Sequence, residues 1–215
     1  MNSNVKLTLH HYWRSSCSWR VRWALALKGV SYESVPVNIL SGEQRQPEYL
    51  KLNPAGFLPT LVVDGQPFSE SVAICDWIDE TWPAPALYPK NGLDRLHVRQ
   101  LMMTIVAGTQ PLQNPATGKQ FLPNATDEER STQARHFITK GLGVYEALLQ
   151  RGKPGAFSHS DQISMADICL IPQVYNAKRF NVDLTKTPLI SGIYERALKT
   201  KACDAAAPHN QPGAS

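Results

Sequence analysis

The chain lacks any long hydrophobic run, because no apolar stretch approaches the roughly 20 residues that a membrane-spanning helix needs. Its first residues, MNSNVKLTLHH, contain no hydrophobic core of a secretory signal. Lysine and arginine are scattered rather than clustered, so the formal charge of +4 indicates neither a nucleic-acid arm nor a membrane-binding one. We therefore expect a cytoplasmic protein that binds neither nucleic acid nor membrane.

Cysteine is scarce, and the four that occur lie far apart in the sequence: Cys17, Cys75, Cys169 and Cys203. They form no C-x-x-C pair, which argues against a disulfide framework and against a zinc site. His10 and His11 are adjacent in a predicted strand and point to opposite faces, so they do not share a metal. A P-loop and a dinucleotide-binding glycine pattern are also absent, so we expect no metal and no nicotinamide cofactor.

The first forty residues alternate between strand and helix patterns. Residues 5–9 alternate between apolar and polar, which is the two-residue period of a half-buried strand. Residues 19–28 are rich in helix formers, and Gly29 stands where a helix C-cap is expected. A second strand is predicted over 32–37, and Pro36 indicates that it lies at a sheet edge.

A hairpin and a helix are predicted next. The segment GFLPTLVVDGQPFSE contains two short apolar runs separated by Asp64-Gly65, a pair preferred in two-residue turns because both positions favour positive φ. Ser71 is then predicted to be the N-cap of a helix whose apolar residues recur at intervals of three and four. That helix is expected to stop at Pro83.

The polar stretch SGEQRQPEYLKLNP, before the hairpin, is expected to hold a short irregular helix. The resulting order β-α-β-α-β-β-α predicts an α/β domain with a mixed sheet. The segment PAPALYPKNG, with three prolines and a glycine, is typical of a domain boundary. Beyond it we find only helical patterns, over 93–112, 128–150, 165–180 and 189–199. We therefore predict an α/β domain at 1–83, a linker at 84–92 and an all-helical domain at 93–215.

The segment ISMADICLIP contains a specific helix-start signal. Ser164 is predicted to be an N-cap and Asp167 its partner in a capping box. Since such a box stabilises a helix N-terminus, we interpret Asp167 as a folding signal and not as a catalytic group.

Three features of the α/β half converge on one kind of ligand. The RSSCS segment lies between the first strand and the first helix, where hydroxyls, backbone N–H groups and the helix dipole stabilise a thiolate. Leu58-Pro59 precedes a strand, and a cis bond there would turn the Leu58 N–H and C=O toward an extended peptide. Glu70-Ser71 starts a helix and offers a carboxylate for an ammonium and a hydroxyl for a carboxylate. A thiol, a peptide edge, an amino group and a carboxylate together describe glutathione.

The chain resembles the zeta class of glutathione transferases, the family of maleylacetoacetate isomerase. The segments that carry the resemblance are SSCSWRVRWALALKG, NPAGFLPTLVVDG, ESVAI, QPLQN and ISMADICLIPQVYNAKRF. The SSCSWRVR motif is specific to the class, whereas the proline turn and the Glu-Ser pair are shared across glutathione transferases. The resemblance implies the glutathione transferase fold, in which a thioredoxin-like N-terminal domain with a mixed four-stranded sheet precedes an all-α domain. It also implies a homodimer.

The resemblance further implies which residues form the site. Ser15 would stabilise the glutathione thiolate, with Ser16 and Cys17 beside it. Arg179 would receive a substrate carboxylate, and Arg14 is a second candidate for this task. The tripeptide would be held by residues of both domains: Gln44, Leu58, Pro59, Glu70, Ser71, Gln110 and Asn114.

Two of these positions depart from the zeta pattern. Glu70 stands where the class usually has Gln, and Leu58 where it often has Val. A carboxylate pairs with an ammonium at least as well as an amide does, and Leu58 would bind through its backbone. Neither departure therefore argues against glutathione.

Several of the site residues also have a structural interpretation. Ser15 and Ser16 are of a type favoured as helix caps, and Cys17 either participates directly or tunes the local polarity. Arg179 also suits a salt bridge or a helix C-terminus. Two neighbouring cations, Arg20 and Arg22, are interpreted as structural ion-pair partners rather than substrate ligands.

The resemblance implies a glutathione-dependent cis–trans isomerisation of a small dicarboxylate, from maleylacetoacetate to fumarylacetoacetate, in tyrosine and phenylalanine catabolism. Alternatives on the same fold are a maleylpyruvate isomerase and a transferase or dehalogenase that acts on small α-halo acids. A redox thiol transferase that uses Cys17 is disfavoured because a resolving cysteine is missing. The intact serine motif argues against a non-enzymatic glutathione-binding protein.

Overall fold

The first part of the chain builds a sheet with helices packed on it. The computed structural model describes residues 5–152 and 154–214, and the chain separates into two units, Met1–Pro85 with Thr200–Ser215 and Ala86–Lys199. In chain order the first unit begins with β1 (Leu7–His11), α1 (Ser16–Lys28), β2 (Glu33–Pro36), a 3₁₀ turn (Glu43–Arg45), α2 (Pro47–Leu50), β3 (Thr60–Val63), β4 (Gln66–Phe68) and α3 (Ser71–Thr81). This sequence of elements confirms the predicted order β-α-β-α-β-β-α.

The sheet is mixed, as predicted. Its strands lie in the order β2-β1-β3-β4, with β1 parallel to β2 and antiparallel to β3, and with β3 antiparallel to β4. Strand β2 lies at one edge, where Pro36 interrupts no inner ladder of hydrogen bonds. Asp64 and Gly65 form the turn between β3 and β4 with φ angles of 48° and 88°, so the predicted hairpin is confirmed.

Helix α1 is buried on nearly every side. Trp23 is 0% exposed, and the guanidinium-bearing side chains of Arg20 and Arg22 are each only 1% exposed. A helix that is buried all round is an internal element rather than an amphipathic surface helix. It ends at Gly29, which adopts φ 65°, so the predicted C-cap is confirmed.

The second unit contains only helices among its described residues: α4 (Gly92–Val106), α5 (Gln110–Gln113), α6 (Pro115–Phe121), α7 (Asp127–Gly152), α8 (Met165–Arg179) and α9 (Pro188–Leu198). Its core includes the fully buried side chains of Leu101, Leu142 and Ile171, from α4, α7 and α8. None of the helices in the described ranges is long and apolar enough to cross a bilayer.

The helix predicted over 93–112 is wrong in extent, because two helices, α4 and α5, occupy this range. Pro111 has no N–H and cannot continue the hydrogen-bond ladder of α4. Thr109 closes the end of α4 instead, since its hydroxyl donates to the Thr104 carbonyl at 2.8 Å. Gln110 therefore begins a short helix of its own, and the prediction that it lies in the first long helix is wrong.

The predicted capping box at the start of α8 is confirmed. Asp167 Oδ2 accepts hydrogen bonds from the N–H and the hydroxyl of Ser164, both at 2.8 Å. Its Oδ1 accepts a third from the Ser158 N–H at 2.8 Å. The side chain is 0% exposed, and burial raises the pKa of its carboxyl. Asp167 therefore ties the loop before α8 to the start of the helix, as expected of a folding signal.

The C-terminal segment groups with the first unit, although the sequence patterns placed it in the helical domain at 93–215. It contains α10 (Lys201–Ala206) and a 3₁₀ turn (Pro208–Asn210). Ala206 is buried, and its carbonyl accepts a hydrogen bond from Arg22 Nε of α1 at 3.0 Å. Only two residues separate α9 from α10, so no composition change in the sequence marks the point where the chain passes from one unit to the other.

His11, the last residue of β1, is buried and neutral. A guanidinium can only donate, so His11 Nδ1 accepts from Arg22 Nη1 at 3.2 Å, and Nε2 carries the ring proton and donates to Ser34 Oγ at 2.7 Å. Burial, followed by the charges of Arg22 and His10, lowers the pKa of His11 from 6.5 to about 3.

We predict that His11→Gln makes the fold less sensitive to acid. As the pH falls, the unfolded chain takes up a proton at this imidazole near pH 6.5 and the folded protein only near pH 3, so stability is lost between these values. The loss is about 1.4 kcal/mol per pH unit within this window. In urea unfolding at about pH 7.5 and about pH 5, the stability of the variant should fall by about 2 kcal/mol less than that of the wild type.

The exposed His136 provides the control, because His136→Gln removes an imidazole without touching the buried one. This control should retain the acid sensitivity of the wild type. Equal losses of stability in His11→Gln and the wild type would contradict the prediction.

Candidate functional site

Ser15 is the N-cap of α1, at the point where the chain leaves β1. Its Oγ accepts a hydrogen bond from the Ser18 N–H at 3.2 Å, and its own N–H donates to the Tyr12 carbonyl at 3.1 Å. A serine hydroxyl has two lone pairs and one hydrogen. Capping uses a lone pair, and no acceptor for the hydroxyl hydrogen lies among the described residues. The capping role and a ligand-binding role of Ser15 are therefore compatible.

Ser16 and Cys17 follow in the first turn of α1, the serine buried and the cysteine half-buried. Arg20 lies one turn further along and places Nη1 3.8 Å from Cys17 Sγ and 3.3 Å from Ser71 Oγ. Its guanidinium thus connects two segments that were predicted to bind one ligand. The interpretation of Arg20 as a structural residue is therefore incomplete, and its spacing of three residues from Cys17 is the signal that the two side chains meet.

The Leu58-Pro59 bond is cis, as hypothesised. No hydrogen bond joins the N–H or the C=O of Leu58 to another residue within 5–152 and 154–214. The preceding carbonyl, of Phe57, accepts from the Tyr49 hydroxyl at 2.6 Å and from Asn53 Nδ2 at 2.8 Å. Two donors therefore hold the chain just before Leu58, and no sequence pattern predicts either of them.

The start of α3 differs from the prediction by one residue. Ser71 is the first helical residue and Glu70 is the N-cap, so the predicted Ser71 cap is wrong. The reason is that the Ser71 hydroxyl accepts from Arg20 instead of from its own helix. Glu70 adopts φ 68° and ψ 99°, a strained conformation that is often found at functional sites. Its carboxylate is exposed, whereas Ser71 is only 6% exposed.

Two further observations bear on what the first unit binds. Gln44, in the 3₁₀ turn, has a buried Oε1 with no hydrogen-bond partner in the described part of the chain. Since an unsatisfied buried acceptor costs free energy, this atom suits a donor on a ligand. No cluster of three or more His, Cys, Asp or Glu side chains that could hold a metal ion occurs among the described residues.

In the second unit, Gln110 and Asn114 lie at the two ends of α5. Asn114 is also the N-cap of α6, and its Oδ1 accepts from the Ala116 N–H at 2.9 Å. Reciprocal amide hydrogen bonds of 2.8 and 2.9 Å between Gln113 and Gln173 tie α5 to α8. Asn114 borders a cavity of about 180 Å³ in this unit, together with Gln113, Lys119, Arg130 and Phe180.

The two candidate cations for a substrate carboxylate have different surroundings. The guanidinium of Arg14 lies 5.2 Å from the centroid of the Trp13 ring, a cation–π contact. Arg179 is the last residue of α8, is exposed, and donates from Nη1 to Asn176 Oδ1 at 3.3 Å. A cation in a last helical turn also complements the helix dipole, so the capping interpretation of Arg179 stands beside carboxylate binding. A site that brings Gln110, Asn114 and Arg179 together with Ser15 stays a prediction.

The sequence matches known proteins over both units. A family model, the N-terminal domain of glutathione S-transferase, matches residues 14–81. The maleylacetoacetate isomerase of Dictyostelium discoideum is 43% identical over 97% of this chain and 96% of its own length. The maleylacetoacetate isomerase of Mus musculus is 42% identical over 96% of this chain and 94% of its own length.

Solved structures agree with this relationship. The holo structure of a maleylpyruvate isomerase, described as a bacterial zeta-class glutathione S-transferase, has a TM-score of 0.93 at 35% identity and covers 97% of this chain and 100% of that one. A maleylacetoacetate isomerase from Anaeromyxobacter dehalogenans with bound GSH has a TM-score of 0.87 at 38% identity and covers 99% of each chain. A maleylacetoacetate isomerase from Methylobacterium extorquens with bound malonate and GSH has a TM-score of 0.92 at 33% identity. The match covers 97% of this chain and 99% of that one.

We predict that Tyr49→Phe loosens the loop before Leu58. The variant loses the hydroxyl that donates to the Phe57 carbonyl and contacts Thr60 Oγ1 at 2.8 Å. We expect the free energy of unfolding, measured in urea, to fall by about 1–2 kcal/mol. Amide hydrogen exchange in residues 55–58 should become faster, because the loop then opens at lower cost.

Tyr32→Phe is the matched control, since the Tyr32 hydroxyl makes no hydrogen bond within the described residues. Its free energy of unfolding should change by less than about 0.5 kcal/mol. Unchanged exchange of residues 55–58 in Tyr49→Phe would show that the hydroxyl does not hold the loop.

Proposed function

This chain belongs to the maleylacetoacetate isomerase family, within the zeta class of glutathione transferases, and we propose that it is a glutathione-dependent isomerase that converts maleylacetoacetate to fumarylacetoacetate. The observation that carries the proposal is the arrangement of Ser15, whose oxygen caps α1 while its hydroxyl hydrogen has no acceptor among the described residues. A hydrogen-bond donor at a helix N-terminus stabilises a bound thiolate, because the helix dipole acts in the same direction.

The first unit offers groups that fit the parts of glutathione. The Leu58 N–H and C=O have no hydrogen-bond partner among the described residues, and they suit a peptide backbone. The exposed Glu70 carboxylate suits the ammonium group, and the N-terminus of α3 at Ser71 suits a carboxylate. The Oε1 of Gln44, which has no partner in the part of the chain that the structure describes, supplies an acceptor for a ligand N–H. These four residues are the binding set that we propose in this unit, with Pro59 shaping the turn.

The protein's own residues set the conditions for the reaction. When bound, glutathione supplies a thiolate that adds to the conjugated double bond, allows rotation about the resulting single bond, and leaves. The Ser15 hydroxyl keeps the sulfur ionised, and lowering the pKa of a thiol by two units requires only about 2.7 kcal/mol. Arg20, which contacts Cys17 Sγ, adds a positive charge behind the first turn of α1. We propose Ser16 and Cys17 as neighbours that complete this turn of the site.

We propose that the substrate is held by an arginine, with one candidate in each unit. Arg179 is the first candidate for a substrate carboxylate, because its side chain is exposed at the end of α8. Arg14 is the second candidate, and its stacking on Trp13 gives it a defined orientation. Gln110 and Asn114 are proposed to reach the tripeptide from the two ends of α5.

We predict that Ser15→Ala lowers kcat for maleylacetoacetate or maleylacetone at least roughly 10²-fold, the scale of losing one donor at a developing charge. The free energy of unfolding should fall by about 1 kcal/mol, because the helix cap is lost as well. Isomerase activity is measured with and without glutathione, and folding by circular dichroism.

Ser191→Ala is the control, since the Ser191 hydroxyl donates only to its own helix, at the Thr187 carbonyl. Its activity should equal that of the wild type. Wild-type activity in the absence of glutathione would refute the mechanism, and full activity of Ser15→Ala would refute the role of the hydroxyl.

Maleylpyruvate is the second candidate substrate, because the solved maleylpyruvate isomerase has a TM-score of 0.93 to this chain. We expect kcat/KM for maleylacetoacetate to exceed that for maleylpyruvate, in line with the 43% identity to a maleylacetoacetate isomerase. A higher kcat/KM for maleylpyruvate would identify maleylpyruvate as the substrate instead. Neighbouring genes for homogentisate breakdown would support cytoplasmic tyrosine and phenylalanine catabolism, whereas genes for gentisate breakdown would support the second candidate.

We also propose that the protein is a homodimer. On α4, Leu93, Leu96 and Met103 are 78%, 63% and 47% exposed, and their spacing places them on one face of the helix. In the first unit, Phe57 and Phe68 are 58% and 45% exposed. Apolar side chains exposed in groups are typical of protein interfaces. Sedimentation velocity tests the proposal, and a single-chain species at micromolar concentration would contradict it.

A further inference from the structure

Arg22 lies in the middle of α1 and is 1% exposed. Its guanidinium makes four contacts within the first unit. Nε donates to the Ala206 carbonyl at 3.0 Å, and Nη2 donates to the Trp13 carbonyl at 3.0 Å. Nη1 donates to the Tyr12 carbonyl at 3.3 Å and to His11 Nδ1 at 3.2 Å. One buried side chain thus holds three consecutive residues that lead from β1 into the Ser15 segment.

All four acceptors are neutral. No carboxylate lies within ion-pair distance of Arg22 among residues 5–152 and 154–214, so the structural ion pair expected from the sequence is not found there. Burial lowers the pKa of Arg22 to about 10, which still leaves it charged at neutral pH. A buried charge is costly unless its donors are satisfied, and the carbonyl acceptors satisfy them only if the backbone keeps its path.

The Tyr12 carbonyl connects this cluster to the site. It accepts a hydrogen bond from Arg22 Nη1 and a second one from the Ser15 N–H, at 3.1 Å. A continuous series of hydrogen bonds therefore runs from the Ala206 carbonyl through the Arg22 guanidinium and the Tyr12 carbonyl to the Ser15 backbone. Its first and last members are more than 180 residues apart in the sequence.

We propose that Arg22 is a positioning residue for Ser15, and that α10 of the C-terminal segment is the anchor against which it acts. The inference rests on the proposed role of Ser15 toward the glutathione thiolate. The hydroxyl must be aimed to within a fraction of an ångström and a few degrees to donate well, and the segment that aims it is otherwise a short loop. Arg22 does not contact the ligand in this proposal. It acts through the carbonyls of Tyr12 and Trp13.

The C-terminal segment is itself held in place at the same point. Gln211 is buried, and its Nε2 donates to the carbonyls of Ala205 and Ala207, at 2.8 and 3.1 Å. These two residues flank Ala206, the residue whose carbonyl receives Arg22 Nε. A change at Gln211 therefore disturbs the anchor without touching Arg22, Ser15 or any proposed ligand contact.

A lysine at position 22 is not expected to make the hydrogen bonds of the arginine. The guanidinium is a planar fork whose donors reach Ala206, Tyr12 and Trp13 at once, whereas an ammonium is a single point of charge at the end of a flexible chain. Arg22→Lys keeps the charge and loses the geometry. Arg22→Met loses both, and the pair of variants separates the two contributions.

The test uses the full-length protein and the variants Arg22→Lys, Arg22→Met and Gln211→Ala. Amide exchange of Ser15 in the ligand-free protein is measured by NMR, and the pKa of the bound glutathione thiol by its thiolate absorbance across pH. Leu25→Ala is the matched control, because Leu25 is a fully buried residue of the same helix and its side chain makes no hydrogen bond to the loop.

We expect the Ser15 amide to exchange roughly tenfold faster or more in each of the three variants, because the hydrogen bond to Tyr12 opens more easily. The pKa of the bound thiol should rise by about one unit in the Arg22 variants, and kcat should fall more than KM for glutathione rises. Leu25→Ala should lower the melting temperature while leaving the thiol pKa and the Ser15 exchange rate at wild-type values.

The inference is overturned if the Arg22 variants lose stability as Leu25→Ala does but keep the wild-type thiol pKa and Ser15 exchange. If Arg22→Met does not fold, Arg22→Lys decides the question by the same two measurements, and Gln211→Ala by the exchange rate of Ser15. A wild-type protein that fails to lower the thiol pKa would refute the proposed function instead, and the exchange rate of Ser15 would still report whether Arg22 positions it.

Discussion

The N-terminus of α1 has to satisfy its own backbone and still offer a donor to a sulfur anion. Ser15 meets both demands, because one lone pair of its oxygen accepts from the Ser18 N–H at 3.2 Å while its hydroxyl hydrogen has no acceptor within 5–152 and 154–214. Ser15 can serve both as cap and as donor only if the backbone before and after it stays in place. Strand β1, an inner strand of the sheet, precedes Ser15, and the buried helix α1 follows it.

Two arginines of α1 connect this point to the rest of the first unit. Arg20 reaches Cys17 and Ser71, and so joins the starts of α1 and α3. Arg22 reaches backbone carbonyls at the end of β1 and in α10. Both side chains are almost completely buried, which is costly for a cation. The hydrogen bonds offset this cost only in one arrangement of the backbone, so the buried charges specify the geometry of the site more than they add stability.

Much of the fold could be predicted because the signals are local. Asp64-Gly65, Gly29 and the Ser164–Asp167 box each depend on the conformational preferences of a few adjacent residues, and each is confirmed. The predicted helix over 93–112 is wrong because a single proline, Pro111, outweighs the apolar periodicity on both sides of it.

For the site, the residue types and the order of the motifs were evident from the sequence alone, and so was the hypothesis of a cis bond before Pro59. Their exact partners were not. Serine is a residue type favoured at N-caps, yet the Ser71 hydroxyl accepts a hydrogen bond from Arg20, 51 positions away. Glu70 is the N-cap instead, in a strained conformation. The Arg22–Ala206 bond spans 184 positions. Local preference determines turns, caps and strand alternation, whereas hydrogen bonds between distant segments exist only once packing has brought those segments together, and so only the tertiary structure decided them.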